Sequence, residues 1–187
     1  KDARETDEFG RGAQDGEAAL LASGRSGVML HATMIYGAPG EQTVRRLAAL
    51  LARVPVLPLP GGGRSLVQPI HQDDVTRAIR AALGVAWDGP HALVIAGPTA
   101  LPYADFARAV AAAGGLPRPR ILPVPVAPLV AAARLGRLLP GVPAIRTAEI
   151  RRLAEDKAFD IGPMVRLLGV TPMPLEQGLA LTFARPA

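Results

Sequence analysis

Residues 28–53 read VMLHATMIYGAPGEQTVRRLAALLAR, and this stretch decides the class of fold. Its first part, Val28–Tyr36, is a mostly apolar run that ends at a Gly-Ala-Pro-Gly turn, which predicts a strand buried on both faces, as in a parallel sheet. Its second part predicts an amphipathic helix over Glu41–Arg53, because apolar residues recur there at helical spacing. The stretch therefore predicts a strand, a turn and a helix that covers the sheet.

The rest of the chain continues the alternation of extended and helical segments. Further extended segments are predicted over Val56–Leu59, Ser65–Ile70, His91–Ala96 and Ile121–Val126. A polar-to-apolar segment of unassigned conformation, Met164–Leu168, stops at Gly169. Further helices are predicted over Asp7–Ala22, Val75–Leu83, Tyr103–Ala113, Leu129–Leu139, Thr147–Ala154 and Leu175–Phe183. Strands that alternate with helices predict an α/β fold. We expect a first region over residues 1–100 and a small mixed α/β region over residues 101–187.

Composition excludes several classes of protein. The 187 residues contain no cysteine, so disulfides, thiolate catalysis and Cys-ligated metals are excluded. No apolar stretch reaches the roughly 18 residues that span a bilayer, and residues 1–17 do not resemble a signal peptide. The arginines that give the net charge of +5 are spread along the chain, which argues against a nucleic-acid partner. We expect a cytoplasmic protein.

Two groups of polar residues could suggest metal binding, and the sequence argues against it in both. The adjacent carboxylates Asp73 and Asp74 stand where the Val75–Leu83 helix needs a cap, so one of them is predicted to accept its first free N–H groups. The three histidines, His31, His71 and His91, lack the spacing of a zinc site. We therefore predict no metal site.

Four short motifs follow one another in an order that resembles a known family. They are Leu30-His31-Ala32-Thr33-Met34-Ile35-Tyr36-Gly37, Val67-Gln68-Pro69-Ile70-His71-Gln72-Asp73-Asp74-Val75, Leu93–Gly97 followed by Leu101-Pro102-Tyr103, and Leu168-Gly169-Val170-Thr171-Pro172 followed by Leu175-Glu176-Gln177-Gly178-Leu179. The series resembles the extended and atypical short-chain dehydrogenase/reductases, the NAD-dependent epimerase/dehydratase family. It is most similar to the branch with the NAD(P)H-binding accessory subunit of respiratory complex I.

The resemblance implies a fold, a cofactor and a set of site residues. The fold would be the C-terminal part of a Rossmann-like parallel sheet with a small substrate-binding region, and the cofactor NAD or NADP. Ala32, Thr33 and Met34 would face the cofactor. A small-molecule substrate would meet four side chains at the strand ends and nearby loops, namely Tyr36, Arg64, Gln68 and His71. A homodimer or a place in a larger complex would be typical.

The sequence departs from the family at its catalytic pair. The family has Tyr-x-x-x-Lys on the helix before the first strand, where lysine lowers the pKa of the tyrosine that exchanges a proton with substrate. Phe9 and Ala13 occupy those positions here, and His31 replaces the usual arginine. The phosphate-binding Gly-x-x-Gly-x-x-Gly motif is missing from these 187 residues, so we expect it upstream of Lys1.

Two functions remain open at this stage. One is an NAD(P)-binding enzyme of the epimerase/dehydratase type that acts on a sugar nucleotide or another small carbonyl or hydroxyl compound. The other is a catalytically silent NAD(P)H-binding sensor or accessory subunit, which the residues Phe9 and Ala13 favour.

Overall fold

The computed structural model describes residues 8–40, 43–127 and 155–184. The helices are α1 Glu8–Ser23, α2 Thr43–Arg53, α3 Gln72–Gly84, α4 Tyr103–Ala113, α5 Gly162–Leu168 and α6 Leu175–Ala184. The strands are β1 Gly27–Ala32, β2 Ile35–Tyr36, β3 Val56–Pro60, β4 Leu66–Val67, β5 Ile70–His71, β6 Pro90–Ile95, β7 Leu101–Pro102 and β8 Arg120–Val124. The helices predicted over Leu129–Leu139 and Thr147–Ala154 lie outside the described residues.

The chain divides into two compact units that interleave along the sequence. The first unit contains residues 1–39, 68–99 and 159–178, and the second contains residues 40–67, 100–158 and 179–187. The boundary expected near residue 100 stays a prediction. Among the described helices, none is both long and apolar enough to cross a membrane.

The first unit is built on the parallel strands β1 and β6, whose register pairs Leu30 with Leu93. Alternate β1 side chains, those of Val28, Leu30 and Ala32, pack against a core that α3 and α5 complete. The buried members of that core are Ile70, Ala78, Ala82, Leu93, Ile95, Met164, Leu168 and Val170. Parallel strands covered by helices confirm the predicted α/β class.

The long strand predicted over Val28–Tyr36 is two strands in the structure, because the chain changes its partner in the middle. The Thr33 N–H still donates to the Ile95 carbonyl of β6 at 3.1 Å. One residue later, the Met34 carbonyl accepts from the Ile70 N–H at 2.9 Å, and β2 then pairs with β5 in parallel. The predicted Ser65–Ile70 segment likewise divides into β4 and β5, with Gln68 and Pro69 between them.

The prediction that Asp73 or Asp74 caps α3 is wrong. The helix begins at Gln72, three residues before the predicted start, and His71 is its N-cap. The imidazole Nδ1 of His71 accepts the Asp73 N–H at 3.2 Å. Asp73 and Asp74 instead lie in the first turn, where their charges favour the positive end of the helix dipole. The side chain of Asp74 is completely buried.

The second unit contains a parallel pair of strands and a packed pair of helices. β3 pairs with β8 in parallel, with Leu57 opposite Ile121, and β4 pairs with β7 in antiparallel fashion. Helix α2 packs against α4 and buries the apolar residues that recur at helical spacing, namely Val44, Leu47, Ala48 and Leu51. The side chains of Phe106 and Val110 on α4 are fully buried in the same unit.

Candidate functional site

The three residues predicted to face a cofactor lie where the chain passes from β1 to β2. Ala32 ends β1, and its methyl group packs against the core. The Thr33 hydroxyl donates to the Gln68 carbonyl at 2.5 Å. Met34 is half-buried, and only its carbonyl is used for strand pairing. This turn follows the carboxyl end of a parallel strand, which is where open α/β sheets bind their ligands.

Gln68 is buried beside this turn, with 3% of its surface exposed. Its side-chain Nε2 donates to the Gly97 carbonyl at 2.8 Å and to the Phe159 carbonyl at 3.3 Å. Its Oε1 accepts the Phe159 N–H at 2.7 Å. We call Thr33, Gln68, Gly97 and Phe159 the Gln68 junction. It joins four segments of the first unit through one residue.

Tyr36 and His71 are register partners in β2 and β5, and both are almost completely buried. Their rings meet edge to face with centroids 5.3 Å apart. A Cβ atom at Gly178 of α6 would overlap the Tyr36 hydroxyl and lie 2.9 Å from its Cζ. The structure thus brings together two of the residues predicted to bind substrate, and a glycine leaves room for the tyrosine.

Asp74 belongs to the same buried region. Its Oδ1 accepts from Arg77, and its Oδ2 accepts the Met173 N–H at 2.9 Å. Arg77 also donates to the Thr171 carbonyl at 3.0 Å. We call Tyr36, His71, Asp74, Glu176 and Gly178 the Tyr36 cluster. Its hydrogen bonds fasten the loop before α6 to the start of α3.

The electrostatics of the Tyr36 cluster keep the tyrosine protonated. Burial is the largest effect that raises the pKa of Tyr36, and the Asp74 and Glu176 carboxylates raise it further. Burial also raises the pKa of Tyr103 in the second unit. At neutral pH the Tyr36 hydroxyl is therefore a neutral group that can donate a hydrogen bond, and it is poorly suited to act as a base.

These shifts predict a loss of stability in alkali. Below pH of about 10, tyrosine is neutral in the folded and unfolded chains alike. As the pH rises further, the unfolded tyrosines ionise first, so the free energy of unfolding falls. Urea unfolding between about pH 8 and pH 11 should show a smaller loss for Tyr36→Phe than for the wild type. Equal losses in the two proteins would contradict the shift assigned to Tyr36.

Arg64, the fourth residue predicted to bind substrate, lies in the second unit and is exposed. Its backbone is held on both sides, because the Gly63 carbonyl accepts the Ala104 N–H at 3.0 Å and the Ser65 carbonyl accepts the Tyr103 N–H at 2.9 Å. Gly63 has a φ of +69°, and a Cβ there would lie 3.0 Å from the Ala104 nitrogen. The loop therefore presents the Arg64 side chain from a fixed backbone.

Helix α1 carries Phe9 and Ala13, the residues that the sequence resemblance aligns with the family's catalytic pair. Farther along the same helix, a carboxylate oxygen of Glu17 lies 3.0 Å from Nε2 of the buried His31 on β1. This contact is an ion pair only when the imidazole is protonated, and its alignment does not make a hydrogen bond. His31 therefore contacts a carboxylate of the helix beside its strand.

Several residues of these clusters are absent from the site residues that the sequence predicts, although some of them lie in its motifs. Glu176 and Gly178 lie more than 100 residues from Tyr36 along the chain, so no local pattern links them. A glycine inside a helix does carry a signal, because it destabilises the helix relative to alanine and so indicates close packing. Within residues 8–40, 43–127 and 155–184, no group of three or more His, Asp or Glu side chains could hold a metal ion.

Solved structures resemble this chain, whereas no family model and no curated protein matches its sequence. MoeE5 in complex with UDP-glucose and NAD superposes with a TM-score of 0.66 at 21% identity, over 97% of this chain and 56% of that one. A dTDP-4-dehydrorhamnose reductase from Bacillus anthracis in complex with NADP gives 0.64 at 15% identity, over 94% and 54%. A UDP-glucuronic acid 4-epimerase from Bacillus cereus in complex with UDP-glucuronic acid and NAD gives 0.56 at 19% identity, over 84% and 44%.

These likenesses show the fold. The chain has a Rossmann-like α/β architecture, as the sequence motifs predict. It spans about half the length of the solved structures that it matches.

Proposed function

We propose that this chain is the substrate-side part of an NAD(P)-binding protein of the epimerase/dehydratase type. The observation that carries the proposal is the position of Thr33, which follows the carboxyl end of the parallel strand β1, and of Tyr36 and His71, which end the parallel strands β2 and β5. Such strand ends hold the ligands of α/β proteins. Solved structures of the same fold contain NAD or NADP, and four of them contain a UDP-sugar.

The cofactor would meet the turn between β1 and β2. Thr33 and Met34 fit this role better than Ala32, whose methyl group packs against the core. When bound, NAD or NADP would supply a hydride acceptor or donor. The chain has no Gly-x-x-Gly-x-x-Gly motif after a strand, so we assign the cofactor diphosphate to none of its residues.

The substrate would be a sugar nucleotide or another small carbonyl or hydroxyl compound. An anionic substrate agrees with the positive charge of the second unit. Its described residues include eight Arg or Lys and three Asp or Glu. Arg64 is the basic side chain that the sequence predicts for this contact, and its fixed backbone supports that role. Tyr36 would act as a neutral hydrogen-bond donor within the Tyr36 cluster.

A catalytically silent NAD(P)H-binding sensor or accessory subunit is the second candidate. The observation that favours it is the pair Phe9 and Ala13 on α1, four residues apart as the family's Tyr and Lys are. Phenylalanine has no hydroxyl to exchange a proton, and alanine has no charge to lower a neighbouring pKa. The resemblance to the accessory subunit of respiratory complex I belongs to this candidate.

A fluorescence titration of the complete protein with NADH and NADPH tests the common part of both candidates. We expect saturable binding with a dissociation constant below about 1 mM, the upper range for substrates and cofactors of enzymes. Absence of NADH and NADPH binding at that concentration would rule out both candidates.

Turnover then separates the two candidates. Conversion of UDP-glucose or UDP-glucuronic acid to product is followed by chromatography together with NAD reduction, in the natural protein and in Phe9→Tyr/Ala13→Lys. Both readouts are needed because an epimerase or dehydratase regenerates its NAD in each cycle and a dehydrogenase does not. Turnover by the natural protein supports the enzyme. Turnover only after the two substitutions supports the catalytically silent protein. Phe9→Tyr alone is the matched control, because it lacks the lysine that activates the tyrosine.

A further inference from the structure

The side-chain amide of Gln68 takes the place of a neighbouring strand. It bonds both the N–H and the carbonyl of Phe159, as a backbone partner in a sheet would. The following residue, Pro69, has no N–H and cannot supply this bond itself. Gln68 and Pro69 lie between β4 and β5 and belong to neither strand. At this point the Gln68 side chain, instead of the backbone, pairs with Phe159.

The amide of Gln68 has little capacity left for a ligand. A glutamine amide has two N–H donors and one carbonyl oxygen with two lone pairs. Both donors are used, one on the Gly97 carbonyl and one on the Phe159 carbonyl, and the oxygen already accepts from Phe159. With 3% of the residue exposed, direct recognition of a substrate would require breaking one of these buried hydrogen bonds.

The backbone carbonyl of Gln68 connects the junction to the turn after β1. It accepts the Thr33 hydroxyl at 2.5 Å, and the next N–H along, that of Ile70, pairs with Met34. Any movement of Gln68 therefore moves the acceptor that holds Thr33 in place. Thr33 is one of the two residues that the proposed function places against the cofactor.

We propose that Gln68 is a positioning residue, which orients the cofactor-facing turn through Thr33 and does not bind the substrate directly. The inference rests on the proposed function for the identity of the ligand. It replaces the direct substrate contact that the sequence predicts for Gln68. In this proposal, the Gln68 junction holds the turn that follows the carboxyl end of β1.

The apo protein provides the first test, because it needs no cofactor. Hydrogen exchange measured by NMR should rise about tenfold at the Phe159 amide in Gln68→Leu, the factor expected when one buried hydrogen bond is lost. Gln68→Glu keeps the oxygen that accepts from Phe159 and loses both donors, so it should protect this amide better than Gln68→Leu. Equal exchange at Phe159 in the wild type and Gln68→Leu would overturn the proposal.

A double-mutant cycle on NADH binding by the complete protein provides the second test. Gln68→Leu and Thr33→Val should each weaken NADH affinity about tenfold, and the double variant should be no weaker than the worse single variant, because both break one chain of contacts. Thr76→Val and Gln177→Leu, at exposed positions on α3 and α6, are the matched controls and should bind as the wild type does.

The outcomes of the cycle separate the explanations. Non-additive losses support positioning through Thr33. If the affinity losses of the two single variants multiply in the double variant, Gln68 contacts the ligand independently. If the folded Gln68→Leu protein binds NADH with unchanged affinity, Gln68 contributes to stability alone. Either result overturns the inference. Absence of NADH binding by the wild type overturns the proposed function, and the inference falls with it.

Discussion

Gly97→Ala is expected to lower the free energy of unfolding by roughly 3 kcal/mol or more, at the upper end of the cost of overpacking. A Cβ at this position would overlap the Pro69 carbonyl oxygen and lie 3.0 Å from the Pro69 carbonyl carbon. Both are backbone atoms, so no side chain can rotate to make room. The displaced backbone would also carry away the Gly97 carbonyl, which accepts from Gln68.

Gly84→Ala is the matched control for this substitution. Gly84 ends α3, and a Cβ there would meet no heavy atom within 4 Å. Neither glycine has a positive φ, so backbone conformation does not distinguish them. Urea unfolding should place Gly84→Ala within about 0.5 kcal/mol of the wild type. Similar unfolding midpoints for the two variants would show that the approach of Pro69 to Gly97 is looser than described.

The order of strands and helices could be predicted because it depends on local periodicity. The predicted helix Tyr103–Ala113 agrees with α4 at both ends, and the predicted strand His91–Ala96 is shifted from β6 by one residue at each end. The division of Val28–Tyr36 into two strands could not be predicted. It arises because the chain changes its strand partner from β6 to β5. Strand pairing depends on tertiary structure and is not encoded in the local hydrophobic pattern.

The wrong cap of α3 has a physical explanation. Aspartate is among the preferred N-cap residues and histidine is not, so residue preference places the cap two or three positions too late. His71 can serve because its Nδ1 offers a lone pair to the Asp73 N–H while its ring packs against Tyr36. Asp74 is then free to turn inward and bond the loop before α6.

The Val67–Val75 motif is informative about the fold because its side chains form contacts that hold the fold together. Gln68 pairs with the backbone of other segments, His71 caps a helix, and Asp74 fastens a distant loop. The contacts of Gln68 and Asp74 join parts of the chain that are remote in sequence, whereas the cap by His71 is local. A motif of this kind predicts architecture well and chemistry less directly, which agrees with the fold similarity to structures at 15–21% identity.

Asp74→Ala is expected to destabilise the protein by about 3 kcal/mol, near the lower end of the cost of removing one partner of a buried ion pair. Asp74 has no exposed surface, and its two oxygens accept from Arg77 and from the Met173 N–H. Alanine leaves the Met173 N–H without this acceptor, and an unsatisfied buried donor is costly. Because Arg77 is half exposed, water can solvate its charge, which keeps the cost below that of a fully buried pair.

Asp105→Ala is the matched control, since the two aspartates differ mainly in burial. Each is the third residue of its helix and pairs with an arginine three positions later. The Asp105 side chain is 52% exposed, however, so its pair with Arg108 should contribute less than about 1 kcal/mol. Chemical denaturation of both variants measures the difference directly. If Asp74→Ala costs no more than Asp105→Ala, the bond to Met173 does not hold the loop, and the Tyr36 cluster owes its order to packing alone.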